Sequence, residues 1–465
     1  MTSFILLLLI TILQFISGMG ILSLFRITLQ PILQIALSIL LGIAFFSIVP
    51  FVMQLFYVPL TGQNVFICLV AGALLLNSNF KHVLTSYSSL VKNFKIGIRI
   101  YEIPFLLLIA FAVFLSVWRC FYLPPTPRDL LSGPEVIAEY AVKEKTLINS
   151  VFTVNLETTN NQFKPAYITS LQIIYKYIGF QFGQLWLSTV FICFILFLYH
   201  ALNQKIHRLI TGFLLCAFIA IPELYAYTIM ALFDYSNAVF LFLAFYFLFE
   251  FFQRHLSGYL LFSGFLMAIA TYIRSETLVL ACLIVPIIII YFLRNKKPVI
   301  NIISGILIFV LPAAVFYWIS VPFYIDHYLP VTYNVEGTIN QHIGHVGELW
   351  DRFKLMNTKL IFSETGLSYY GYFIYLFLAA FVLELIVKRK FTAQGRNWLA
   401  AVFVVYFGLA LLGWLLPLFD LDSTTRRGAL KLFPLMLFFF QGSQLMISLS
   451  NRISRWEYSK KLVKS

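Results

Sequence analysis

The chain has 465 residues, of which 61% are hydrophobic, 18% aromatic and only 11% charged, and its mean hydropathy is +0.89. Soluble domains carry about 25% charged residues, so this composition excludes a soluble globular protein and indicates an all-α polytopic membrane protein. The net charge of +14 does not indicate nucleic acid, because the basic residues follow a topological pattern set out below. The five cysteines (Cys68, Cys120, Cys193, Cys216 and Cys282) lie in or beside apolar segments with no CxxC spacing and read as packing thiols.

The first apolar run, MTSFILLLLITILQFISGMGILSLF, lacks a basic n-region and a small-x-small cleavage site, and it is longer than a signal-peptide core. It reads as a retained transmembrane helix. A spanning helix needs about 20 apolar residues. By that measure the candidates are 4–24, 31–57, 62–80, 103–122, 184–202, 206–222, 236–252, 257–273, 276–293, 301–325, 366–387, 398–419 and 429–449. The expectation is therefore about 13 spans. The piece 223–235 (ELYAYTIMALFDY) is too short to cross alone and reads as a re-entrant or interfacial segment. There is no repeat of fixed period and no sign of inverted transporter halves.

Lys and Arg gather in alternate loops: Arg26; Lys81, Lys92, Lys95 and Arg99; Lys205 and Arg208; Arg254; Arg294, Lys296 and Lys297; Lys388, Arg389, Lys390 and Arg396; and a tail from Arg452 to Lys464. The positive-inside rule makes this set cytoplasmic and puts nearly all the acidic residues on the outer face. Much of the positive charge is then topology and attraction to anionic membrane lipid. The outer face would hold the 123–183 loop, the 326–365 loop, the turn at Arg274 and the turn at 420–428. The chain divides accordingly into N-terminal spans (1–100), a core with its long outer loop (101–325), a second outer loop (326–365), and C-terminal spans with a basic tail (366–465).

The outer loops carry the candidate chemistry. Asp129 follows Pro124, Pro125 and Pro127 at the exit from a span. A carboxylate at a membrane–water boundary is suited to general-base work, since low dielectric raises its pKa while water keeps it accessible. An Asp before LLSGPE also fits a helix N-cap or turn. From Pro134 to about residue 151 the sequence is amphipathic with helical period, placing Val136, Ile137, Tyr140, Ala141 and Leu147 on one face of an interfacial helix. Glu135, Glu139 and Lys143 lie four apart, so they would pair along its solvated side. Lys164, in a Lys-Pro turn, is a candidate phosphate ligand or a snorkelling surface residue. Tyr122, Tyr140, Tyr167, Tyr225, Tyr227, Tyr235, Tyr369 and Tyr370 read chiefly as an interface belt. His342, His345 and Glu348 have spacing compatible with a metal site, but glycines interrupt the stretch, and a solvated or substrate-facing loop is the simpler reading. No cofactor is implied.

Taken in order, Asp129, the amphipathic segment from Pro134 and Lys164-Pro165-Ala166-Tyr167…Phe182-Gly183 resemble the GT-C class of polyprenyl-phosphate-sugar-dependent glycosyltransferases. That class includes protein O-mannosyltransferases and lipid A aminoarabinose transferases. ALFDYSNAVFLFLAFYFLF, with Asp234, is similar to the Asp-containing start of a later core helix. GFLMAIATYIRSETLVL, with Arg274 and Glu276, is similar to a helix pair turning on an outer-face Arg. The resemblance covers roughly 103–325, with further support from Arg426 and Arg427. It implies a GT-C-like helix bundle, a polyprenyl-phosphate-linked sugar donor, and a glycan, lipid or protein acceptor. Where that class carries two adjacent acidic residues, this chain has Arg128-Asp129, and three spans precede the usual first core helix.

Such a transfer needs a base for the acceptor and cations for the phosphate leaving group. Asp129 is the candidate base, with Glu135 or Asp234 behind it. Arg426 and Arg427, then Arg274, with Lys431, Lys164, Asp234 and Glu276 around them, are the candidate donor-binding residues, since Arg forks onto phosphate. An envelope polysaccharide polymerase or ligase, and a lipid-linked glycan transporter, are the alternatives. A transporter would show broken helices and mid-membrane charge. Here the spans read as continuous and the charges lie at one face.

Overall fold

The computed structural model describes residues 2–94, 97–124, 126, 130–154, 164–179, 183–329, 346–416 and 420–462. Every regular element among these residues is a helix. Eight helices are long and apolar enough to cross a membrane, or up to ten if each of two bent pairs counts as one span. The sequence expectation of about 13 is larger because three apolar helices, Gly62–Leu76, Arg208–Ile219 and Ser257–Ile273, are too short to pass as full crossings. Two segments expected to be continuous are bent. Glu364–Tyr370 meets Phe373–Lys388 at 95°, and Leu421–Gly442 meets Gln444–Glu457 at 58°. The first bend turns on Gly371, whose φ of 57° suits a residue without Cβ.

Helices α1 (Thr2–Leu24) and α2 (Pro31–Leu55) form an antiparallel pair, followed by α3 (Gly62–Leu76), α4 (Phe80–Asn93) and α5 (Ile103–Tyr122). A shorter pair, α6 (Val136–Glu144) and α7 (Tyr167–Ile178), comes next, and then α8 (Leu185–Leu202), α9 (Arg208–Ile219) and α10 (Pro222–Ala226). The centre of the bundle is α11 (Phe233–Arg254), in which every residue from Phe233 to Phe252 is buried. A helix that is apolar all round belongs inside. Its aromatic side chains interlock with later spans: Phe242 stacks on Trp398 at 5.7 Å and meets Phe438 at 4.7 Å. Around it stand α12 (Ser257–Ile273), α13 (Thr277–Arg294), α14 (Val299–Trp318), α15 (Val346–Leu355), α16 (Glu364–Tyr370), α17 (Phe373–Leu383), α18 (Ala393–Leu415), α19 (Leu432–Gly442) and α20 (Gln444–Leu462). Helix α11 packs on α12, and α12 on α14, while α18 packs on α19.

The amphipathic segment after Asp129 is shorter than its sequence period suggests. It is kinked at Gly133 and ends where Lys145 turns left-handed. Ile137, Ala138 and Ala141 pack inward against α7, and Leu147 is buried beyond the helix end. Glu139 and Lys143 do pair on the exposed side, at 2.9 Å. Glu135 does not join them; it is buried and pairs with Lys176 and Gln172 of α7. The expected tyrosine belt is also only partial. Tyr167, Tyr227, Tyr235 and Tyr370 are buried inside the bundle.

The α1–α2 contact is backbone on backbone. A Cβ at Gly42 would lie 2.0 Å from the Gln14 carbonyl oxygen, and one at Gly18 would lie 1.7 Å from that of Ser38. Without a hydrophobic drive between helices in lipid, such close approach supplies the association through van der Waals contact. Helix α2 then fastens the pair to the rest. Tyr272 donates to Ser47 O at 3.0 Å, Tyr328 to Leu55 O at 2.8 Å, and the Leu147 amide to Gln54 Oε1 at 2.8 Å. Gly42→Val is expected to destabilise the purified protein by about 3 kcal/mol or more, because the obstacle is backbone that cannot rotate away. Gly97→Ala, where a Cβ meets nothing within 4 Å, is the matched control, and thermal unfolding in detergent reads both.

Candidate functional site

The charged residues of the bundle are sorted to its two ends. At one end Arg99 pairs with Glu457, Arg208 with Glu102 at 3.1 Å, and Arg254 with Glu250 at 2.6 Å. At the other, about 33 Å away along the 22 residues of α11, lies the candidate site.

Its hub is Arg274. This residue is extended, φ −142° and ψ 115°, and ends α12 before α13 begins. Its guanidinium pairs with Asp234 through Nη1 and with Glu276 through Nε. The local sequence explains the placement: Asp234 stands in the first turn of α11 and Glu276 caps α13. Both carboxylates therefore sit at helix N-termini, where the backbone dipole favours negative charge. One turn below, Asn237 of α11 donates to Ala270 O at 2.7 Å and to Thr277 Oγ1 at 2.9 Å. That amide clamps α11, α12 and α13 together directly beneath the charges.

Three more cations close on this triad. Asp234 is within electrostatic reach of Arg274, Arg427, Lys431 and Lys164. Lys164 stands over the Phe233 ring at 5.3 Å. Lys431 precedes α19, is only 1% exposed, and its Nζ has no hydrogen-bond partner among the described residues. Among the described residues, the four cations Lys164, Arg274, Arg427 and Lys431 surround the two carboxylates Asp234 and Glu276. Burial, and then the neighbouring Arg274, lower the Lys164 amine to about 8.

Beside this cationic group lies a neutral one. Arg426 pairs with Glu223 of α10 at 3.0 Å and lies over the Tyr369 ring at 4.3 Å. Tyr370 donates its hydroxyl to Arg426 O at 3.1 Å, and Tyr227 reaches both Glu223 and Arg426. Burial raises the pKa of the Glu223 carboxyl, with Arg426 opposing. The arginine pair is held in place by Asp420, whose Oδ1 caps the turn by accepting from the Ser423 amide at 3.3 Å and the Thr424 amide at 2.7 Å. From α15, Arg352 donates to Thr425 Oγ1 at 2.6 Å.

The structure thus brings together Lys164, Asp234, Arg274, Glu276, Arg426, Arg427 and Lys431, all seven donor-binding candidates of the sequence. Asp129, His342 and His345 lie outside the described residues. Glu135, the second candidate base, is held in the α6–α7 contact by Lys176 and by Gln172 Nε2, the latter at 2.9 Å. Glu223 was not singled out in the sequence. Its signal was an acidic residue directly after a proline in the short piece that no span absorbed.

Compared with protein-family models, with curated proteins and with solved structures, the chain matches none.

An unpartnered buried ammonium costs folding free energy, whereas breaking a buried ion pair strands its partner. Lys431→Met is expected to raise the stability of the ligand-free protein by about 1–3 kcal/mol, and Asp234→Asn to lower it by about 3 kcal/mol. Thermal unfolding of the two variants side by side checks both signs.

Proposed function

We propose that this protein is an integral membrane glycosyltransferase that takes a sugar from a polyprenyl-phosphate donor and passes it to a glycan, lipid or protein acceptor. In this reading the three short apolar helices and the two bent pairs complete about 13 spans. The site end faces the outside of a bacterial inner membrane, as the positive-inside pattern implies, and the bundle is of the GT-C kind that the sequence resembles.

The observation that carries the reading is the gathering of Lys164, Arg274, Arg427 and Lys431 around Asp234 and Glu276, with the Lys431 Nζ lacking a hydrogen-bond partner among the described residues. A sugar phosphodiester carries one negative charge. As the glycosidic bond breaks, the departing lipid phosphate becomes a dianion. A fixed cationic pocket stabilises that developing charge more than it stabilises the ground state, which is how binding becomes catalysis. Lys164, Arg274, Arg427 and Lys431 are the residues for this role. Asp234 and Glu276 hold Arg274 in position for the phosphate, so its fork arrives preoriented. Arg426 is already neutralised by Glu223 and is withdrawn from the phosphate set. Asp129, from its place at the exit of α5, is the acceptor base.

Binding of undecaprenyl phosphate to the purified protein tests the assignment. Saturable binding is expected in wild type, weakened about 100-fold or more in the Arg427→Ala/Lys431→Met double variant, since two charge-assisted contacts are lost. Wild type that does not bind the lipid phosphate sinks the reading.

The Lys164 amine adds a pH dependence with a definite sign. Its folded pKa, near 8, is below the ordinary lysine value, so the folded site loses that proton, and one positive charge, as pH rises through 8. Affinity for undecaprenyl phosphate should fall by up to about tenfold per pH unit above that point. Lys164→Arg, which stays charged, should make that fall shallower between pH 7.5 and 9.5.

A further inference from the structure

The two halves of the site differ in charge, and the difference assigns them different ligands. Around Asp234, among the described residues, cations gather without direct partners of their own number. Glu223 instead is directly paired, its carboxylate facing the guanidinium of Arg426. The neutral half is also the more open, with the Arg426 side chain 23% exposed against 8% for Arg274. A phosphate gains little from a neutral ion pair. A polyhydroxyl ring gains much, because such a pair offers strong acceptors and donors a few ångströms apart. Hydrogen bonds to charged groups are the stronger kind.

The remaining chemistry of this half is that of carbohydrate recognition. Tyr369 presents an aromatic face, already engaged by Arg426 at 4.3 Å. Tyr227 adds a hydroxyl within reach of both charged partners. Glu223 Oε1 and Arg426 Nε face each other at 3.0 Å. A carboxylate accepts more than one bond, so Glu223 keeps acceptor capacity for a ligand hydroxyl beside that pair. Arg427 joins the halves, within electrostatic reach of Asp234 on one side and Glu223 on the other.

We infer that Glu223, Arg426, Tyr227 and Tyr369 form the subsite for the neutral sugar ring of the donor, next to the cationic pocket that takes its phosphate. This rests on the glycosyltransferase reading given above. Glu223 then sets which sugar is accepted, through hydroxyl contacts, and does not hold the lipid phosphate.

The test compares two kinds of probe on purified wild type, Glu223→Gln and Tyr369→Ala: undecaprenyl phosphate, and its mannosyl, glucosyl and arabinosyl esters. Wild type should bind at least one ester about tenfold or more tighter than the bare lipid phosphate. Tyr369→Ala should bind the bare lipid phosphate like wild type, which also reports that it folds, and Glu223→Gln, which releases the Arg426 guanidinium, should bind it at least as tightly as wild type. Their preference for the ester should fall to about one. Variants that keep the wild-type preference overturn the subsite while leaving the phosphate pocket standing. Equal binding of all probes by wild type overturns it too. Wild type that binds none of them overturns the donor reading and the subsite with it.

Discussion

The double ion pair of Arg274 with Asp234 and Glu276 is the constraint on which the site end of the bundle depends. Charges removed from water are costly, and a buried pair is tolerated only when its geometry and remaining hydrogen bonds are satisfied. Here one guanidinium links the first turn of α11, the end of α12 and the cap of α13. Asn237 adds its two bonds one turn lower. With those three helices fixed, α11 is pinned along the axis of the bundle, and its aromatic flank can interlock with Trp398 and Phe438. The deep apolar packing is therefore generic in chemistry but specific in register, and the register is written at its polar end.

Much of this was legible because charge is conspicuous in so apolar a chain. Asp234, Arg274, Glu276 and the Arg426-Arg427…Lys431 run stand out against long hydrocarbon stretches, and alternation of Lys and Arg along the loops already sorts them to one end. What could not be read was direction. Glu135 lies four residues from Glu139, which suggests one solvated face, but its carboxylate is buried against Lys176 of α7. Tyr167, Tyr227, Tyr235 and Tyr370 have the amphipathic character of interface residues, and only packing shows that they are interior. Glu223 was missed for a related reason. Its segment is too short to show a period, so nothing local told which way it pointed. Helix bends at Gly371 and Ser443 escaped notice because apolar runs continue straight through them.

The N-terminal helices looked like additions to a core. In the structure α2 lies against α7 and α8 and takes hydrogen bonds from Tyr272 and Tyr328 as well as from the Leu147 amide. These contacts reach the segments that lead into the site. The glycine-mediated α1–α2 seam thus buttresses the loop helices α6 and α7 from behind, without contributing a charge to the site itself.

This gathering of cations has a consequence for how the protein comes into being. The residues that make it are spread along the chain, and they leave the ribosome in order. Once α13 has been synthesised, the nascent chain holds Lys164 and Arg274 against Glu223, Asp234 and Glu276, two cations against three carboxylates. Arg426, Arg427 and Lys431 arrive only with the last spans and reverse the balance among the described residues. An incomplete chain would therefore present the membrane with a cluster that has little appetite for anions. Any affinity of this end of the bundle for anions would then arise only when the chain is complete.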